Sequence, residues 1–125
     1  MRKANPNPAA SRGAVVTKAA LRAADNLGMT NKALANVIGV SEATVSRMRG
    51  GDYVLQWAQK PFELAVLFVR LYRSLDAIVG GDDAVSRAWL RNHNTALQGQ
   101  PLAVIQTVSG LMNAIHYLDA RRAVV

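Results

Sequence analysis

Arg47 carries the most specific recognition chemistry in the chain. A guanidinium presents two parallel N–H donors that match the O6 and N7 acceptors on the major-groove edge of guanine, a pairing that discriminates bases by about 1–3 kcal/mol. The hydroxyls of Thr44 and Ser46 are able to reach bases or phosphates, and Glu42 is able to accept from cytosine N4. An acid at that place equally suits the positive end of a helix dipole. Ser41 is an N-cap residue type. Lys32 and Arg49, at the outer ends of the cluster, suit phosphates better than bases. Taken singly, each of these side chains would serve as well on a solvated helix face.

Groups for covalent or metal chemistry do not assemble in the same way. The chain has two histidines, His93 and His116, and no cysteine, and the histidines have no metal-ligand spacing. No Ser-His-Asp, Cys-His or phosphate-loop pattern is present. The GGDD run at residues 80–83 reads as a helix stop followed by an acidic helix start rather than as a divalent-cation site. The expectation is a non-enzyme with no cofactor and no metal.

The elements that must hold the first cluster are legible at residues 31–50, NKALANVIGVSEATVSRMRG. Thr30 caps a helix to Ile38, Gly39 breaks it, and Ser41 caps a second helix to about Met48. Ala35 is small where the two helices must cross. Gly39 supplies a positive φ for the tight turn, and Val40 plugs the inside of that turn. Leu34, Ile38, Val45 and Met48 form the shared apolar seam, which leaves the cluster around Arg47 on the outside.

Upstream, residues 1–13 are expected to be a disordered basic arm, with Arg2, Lys3 and Arg12 free to track a backbone. A helix over residues 14–27 follows, with Leu21, Ala24 and Leu27 on one stripe, and Gly28 ends it. Gly50, Gly51 and Asp52 make a loop. Pro61 opens a long helix to Ile78 whose Leu64, Leu67, Phe68, Leu71, Leu75 and Ile78 share a face. Val66 and Val69 widen that face, so the helix is expected to be covered on more than one side. Asp82 and Asp83 open a short helix to Leu90, Pro101 opens another to Val108, and Ser109 caps a last one to about Ala120. With no internal repeat and no strand pattern, the fold class is all-α. It consists of a helix-turn-helix bundle over residues 14–60, then a long helix and a small helical module over residues 61–125.

Composition agrees with this reading. Half of the 125 residues are hydrophobic but only 6% are aromatic, a balance that suits helical packing. The net charge of +7 is unevenly spread. Residues 1–60 hold nine basic and three acidic side chains, whereas residues 61–125 hold six and five. A polyanion is therefore expected on the N-terminal half. The apolar run Leu64–Val69 is far too short to span a bilayer, and no apolar segment follows Arg2 and Lys3 as a secretory signal would require. A cytoplasmic protein with no membrane partner is expected.

The GVSEATVSR turn and second helix resemble the helix-turn-helix of Xre/Cro-type repressors. Further on, Trp89-Leu90, Asn94, Leu97, Gly99, Pro101, Gly110-Leu111 and Tyr117-Leu118-Asp119-Ala120 resemble the toxin-binding domain shared by Xre, MbcA and ParS antitoxins. This chain departs from that pattern in two places. His93 stands where proline commonly precedes the asparagine, and one residue separates Gly99 from Pro101 where two are frequent. On physical grounds Asn94 suits a self-bonded turn, Gly99 a left-handed residue and Pro101 a helix start, with Trp89 and Leu90 beneath the loop. Trp89, Leu97, Leu102, Ile105, Leu111, Ile115 and Leu118 read mainly as core.

The resemblance implies a cognate partner protein, a RES-domain toxin that consumes NAD, and repression of the chain's own operon through double-stranded DNA. On the last helix Leu111, Ile115 and Leu118 make the apolar stripe. Met112, His116, Tyr117, Asp119, Arg121 and Arg122 lie on its other faces and are the candidate toxin-binding residues. Tyr117 and the two arginines are types favoured at interface centres. The resemblance implies that this end of the chain covers the toxin's cleft, with Arg121 and Arg122 reaching into a pocket for a phosphorylated nucleotide. The apolar tail Ala123-Val124-Val125 is expected to be covered. One helix-turn-helix has too small a footprint for high specificity, so a homodimer is expected. Two alternatives stay open: a stand-alone repressor whose C-terminal part dimerises or senses a ligand, and an interaction module whose helix-turn-helix no longer binds DNA.

Overall fold

The computed structural model describes residues 8–123 as seven helices with no strand among them. They are α1 (Pro8–Asn26), α2 (Asn31–Ile38), α3 (Glu42–Arg49), α4 (Lys60–Ile78), α5 (Asp83–Arg91), α6 (Pro101–Val104) and α7 (Val108–Ala123). The only bridge of β type among the described residues is an isolated antiparallel pair, Asn94 with Gly99. The chain is all-α, with the helix-turn-helix bundle first, as its patterning requires.

The start of α1 corrects the expected arm. Helix begins at Pro8, not Ala14, so residues 8–13 are ordered; Arg2 and Lys3 lie outside the described residues. The cause is a contact far away in sequence. The loop between α3 and α4 lays the Leu55 carbonyl across Gly13, so close that a Cβ there would stand 2.2 Å from the oxygen. Thr17 Oγ1 secures the crossing, donating to Gly13 O at 2.7 Å and accepting from Leu55 N at 2.9 Å. Arg12 lies over the Trp57 ring, 5.2 Å from its centroid, and is thus part of the fold rather than a free arm.

α4 is the central helix. Leu64, Ala65, Phe68, Leu71, Ser74 and Leu75 are buried along it, with α1, α2 and α7 packed around. Leu64 sits beneath the turn residue Gly39, whose φ of +76° is the left-handed conformation the turn needs. The far end, Ile78, was expected on the buried stripe, but as the last residue of α4 it remains 43% exposed. One hydrophobic core runs from Ala20 in α1 through α2, α3 and α4 to Leu118 in α7.

α5 closes over the C-terminal end of α1. Arg87 donates to Asn26 O (3.0 Å), and Arg91 donates to Leu27 O (3.3 Å) and Gly28 O (2.8 Å). Two cations thus satisfy carbonyls that a helix leaves orphaned at its negative end. The loop to α6 also differs from expectation in one place. Asn94 makes the self-bonded turn, its Oδ1 accepting from Leu97 N at 3.0 Å, but the left-handed residue is Gln98 (φ 59°), not Gly99. Gly99 instead pairs both ways with the Asn94 backbone.

α6 is a single turn that stops at Val104 rather than reaching Val108, and α7 is capped by Thr107, not Ser109. Thr107 Oγ1 accepts from Gly110 N at 3.1 Å. The Val104 carbonyl crosses the start of α7 at Gly110, where a Cβ would lie 1.9 Å from its oxygen. Both helices must therefore break between those two residues.

Gly13 and Gly110 are helical without positive φ, so alanine at either place would ordinarily add about 0.5–1 kcal/mol of helix stability. Here the sign reverses. Gly13→Ala and Gly110→Ala should each destabilise the fold by about 1–3 kcal/mol, read as a lower urea midpoint. An unchanged or raised midpoint would refute the close crossings.

Candidate nucleic-acid interface and partner surface

α3 is built to present one face outward. Val45 and Met48 anchor it in the core, and Ser41 caps it with Oγ accepting from Thr44 N at 3.0 Å. Glu42, Ala43, Ser46 and Arg47 are exposed. Thr44, expected among the reading residues, is only 8% exposed. Its hydroxyl lies 2.9 Å from Ser41 Oγ and accepts from Arg47 Nη2 at 3.0 Å. Thr44 thus orients Arg47 rather than facing a ligand itself.

Arg49 is drawn elsewhere. Its Nε donates to Asn31 Oδ1 at 2.6 Å, and its Nη1 pairs with Asp25 at 2.9 Å. It ties the end of α3 to α1 and α2, whereas Lys32 stays exposed in the first turn of α2. The Thr30 cap accepts from Ala33 N at 3.0 Å. The open cations of this face are therefore Lys32, in the first turn of α2, where the helix dipole also favours an anion, and Arg47, in the last turn of α3.

On α7 the six candidates divide between faces. Tyr117 and Arg121, one turn apart, stack with the guanidinium 4.9 Å from the ring centroid, and Arg121 is exposed. His116 is exposed, and Met112 is half-buried against the core. Asp119 and Arg122 face α4. Buried Ser74 donates to Asp119 Oδ1 at 3.2 Å and accepts from Arg122 Nη1 at 3.2 Å, while Arg70 donates to Asp119 Oδ2. These two residues close the α4–α7 seam, although Arg122 is exposed; of the others His116 and Arg121 are exposed, and Tyr117, like Met112, is half-buried. Among the described residues no group of three or more His, Asp or Glu is placed to hold a metal, and no helix is long and apolar enough to cross a membrane.

Tyr72 joins the two regions and was not singled out in the sequence. Its hydroxyl accepts from Asn26 Nδ2 at 2.8 Å and donates toward Asp83 Oδ1 at 3.4 Å, linking the end of α1 to the start of α5. Burial raises its pKa above the ordinary 10.0, and the nearby Asp76 and Asp83 charges push the same way, against the Asn26 hydrogen bond. The only available signal was a tyrosine beside the apolar stripe, which does not tell a core residue from a latch.

Two family models match the chain. Residues 8–70 match the antitoxin Xre-like helix-turn-helix domain, and residues 74–123 match the antitoxin Xre/MbcA/ParS C-terminal toxin-binding domain. Neither is an enzyme family. No curated protein matches the chain.

Because the Tyr72 pKa is raised in the folded state, the unfolded chain loses this proton first as pH climbs past the ordinary value. The stability Tyr72 contributes is complete below pH 10.0 and is lost as pH rises through the folded-state pKa. Tyr72→Phe should cost about 1 kcal/mol at neutral pH and make alkaline unfolding shallower. Urea titrations of both proteins across alkaline pH check this, and parallel pH profiles would refute it.

Proposed function

Since the chain belongs to the Xre/MbcA/ParS antitoxin family, we propose that it neutralises an NAD-consuming RES-domain toxin and represses its own operon. In this reading α3 enters the major groove of double-stranded operator DNA. Arg47 reads guanine, Ser46 and Glu42 lie beside it, and Lys32 takes a phosphate. Ser41 and Thr44 hold the geometry. A cytoplasmic homodimer sets two copies of α3 into successive major grooves, about 34 Å apart.

The toxin meets the outward side of α7. Arg122 is drawn to Ser74, which leaves Arg121, braced on Tyr117, as the arginine best able to enter a cleft shaped for a phosphorylated nucleotide. His116 and Met112 border that contact. The observation that carries the reading is one chain with two open faces of different chemistry. One is a capped helix with a steered arginine, and the other is a tyrosine–arginine stack near the end of the matched toxin-binding domain.

Separate variants should divide the two activities. Arg47→Ala should weaken binding to operator DNA by about 10–100-fold and relax one base position. Lys32→Ala should weaken all sequences alike and lower the salt slope by about one. Neither should alter toxin binding. Tyr117→Ala with Arg121→Glu should abolish co-elution with the toxin and protection from it, leaving DNA affinity intact. Fluorescence anisotropy, size-exclusion chromatography and a growth assay read these outcomes. Loss of both activities in either set, or of neither, would refute the assignment.

A further inference from the structure

Three basic side chains without an acidic partner converge on one groove. Lys18 and Arg22 stand one turn apart on α1, a spacing at which like charges repel, and Arg73 faces them from α4 across a hollow of about 270 Å³. The salt bridges among the described residues are Arg49–Asp25 and Arg70–Asp119, so none of these three cations is paired with a carboxylate. The groove continues, sharing Val15, Ala19, Val69 and Arg73, into a hollow of about 540 Å³ that ends at Asp119 and Arg122 of α7. Its floor is apolar, yet Val15 is 67% exposed and Val66 41%. An apolar floor with a cationic rim, and with repulsion left unrelieved, is the surface an acidic amphipathic segment complements.

Other occupants fit less well. A second copy on a two-fold axis would lay this rim against itself, cation on cation. Phosphodiesters would meet the rim but leave the valines uncovered. At the α7 end the groove runs into residues of the matched toxin-binding domain. We propose that the toxin, in addition to meeting α7, lays an acidic amphipathic segment into the α1–α4 groove, with its apolar side on Val15 and Val66 and its carboxylates among Lys18, Arg22 and Arg73. This rests on the reading of the chain as an antitoxin that binds its toxin directly. It extends the toxin contact from the C-terminal module onto the first helix of the DNA-binding one.

The test titrates full-length protein with the toxin encoded beside it, at low and high salt. The double variant Lys18→Glu with Arg22→Glu should weaken the complex by about 10–100-fold at low salt and flatten its salt dependence. Val66→Asp should weaken it by about 10-fold or more. These side chains are exposed, so circular dichroism and the thermal midpoint should stay as in the wild type. Wild-type toxin affinity in both variants, where Arg121→Glu loses the complex, would overturn the groove contact and leave the antitoxin reading standing. Absence of binding by the wild-type protein would overturn both. If charge reversal spares the toxin but weakens DNA binding, or changes the protein's own oligomeric mass, the groove belongs to phosphates or to a second copy, and the proposal falls.

Discussion

The fold depends on burying α4 from several directions at once. A helix with Leu64, Phe68, Leu71 and Leu75 inside the core and Leu67 and Val69 packed against it has too much apolar surface for one partner. Each of those four buried side chains contributes about 1.5–3 kcal/mol when withdrawn from water. The helix-turn-helix supplies part of the cover through the Gly39 turn over Leu64. α7 supplies another part with Leu111, Ile115 and Leu118. The two family matches end at residue 70 and begin at residue 74, both inside this helix. The core crosses that division without a break.

Polar contacts fasten the same junction at its margins. Arg87 and Arg91 of α5 cap α1, Tyr72 bridges Asn26 and Asp83, and Asn36 of α2 donates to Gln106 beyond α6 at 2.9 Å. Several of these use arginine as a structural donor, which alters the meaning of the +7 charge. Arg49 is held by Asn31 and Asp25, and Arg12 lies on Trp57. Formal charge thus overstates the cations that α3 and its surroundings offer to a polyanion. It is their distribution that divides the surface, with Lys32 and Arg47 on one face and Lys18, Arg22 and Arg73 around a groove.

What could be read from the sequence was what is encoded locally. The helix-turn-helix announces itself because a cap, a small crossing residue, a turn glycine and an apolar seam all fall within 20 residues, 31–50. The proline starts of α4 and α6 and the Asn94 turn are equally local. What escaped depends on distant partners. Nothing near Gly13 says that Leu55 will cross it, so a run holding Pro8, Ser11 and Arg12 read as an arm. Ser109 and Thr107 are both sound caps by type, and the Val104–Gly110 crossing decides between them. Gly99 was the natural left-handed residue, yet pairing with Asn94 gave that role to Gln98. In the same way the internal hydrogen bonds of Thr44, Arg49, Asp119 and Arg122 join residues that no local pattern brings together or ranks.

This architecture also constrains how one open face influences the other. A coupled response between distant sites needs an element with two arrangements that both ligands bias. From Phe62 to Ile78, α4 contains no glycine or proline, and its buried side chains are shared by both modules, so it offers no hinge at which they would part. The Arg122–Ser74–Asp119–Arg70 chain further pins α7 to α4. Under the proposed function, a protein bound at α7 would therefore act on DNA binding by routes that leave the chain's own fold intact: through the charge beside the basic N-terminal half, or through the spacing of two copies of α3.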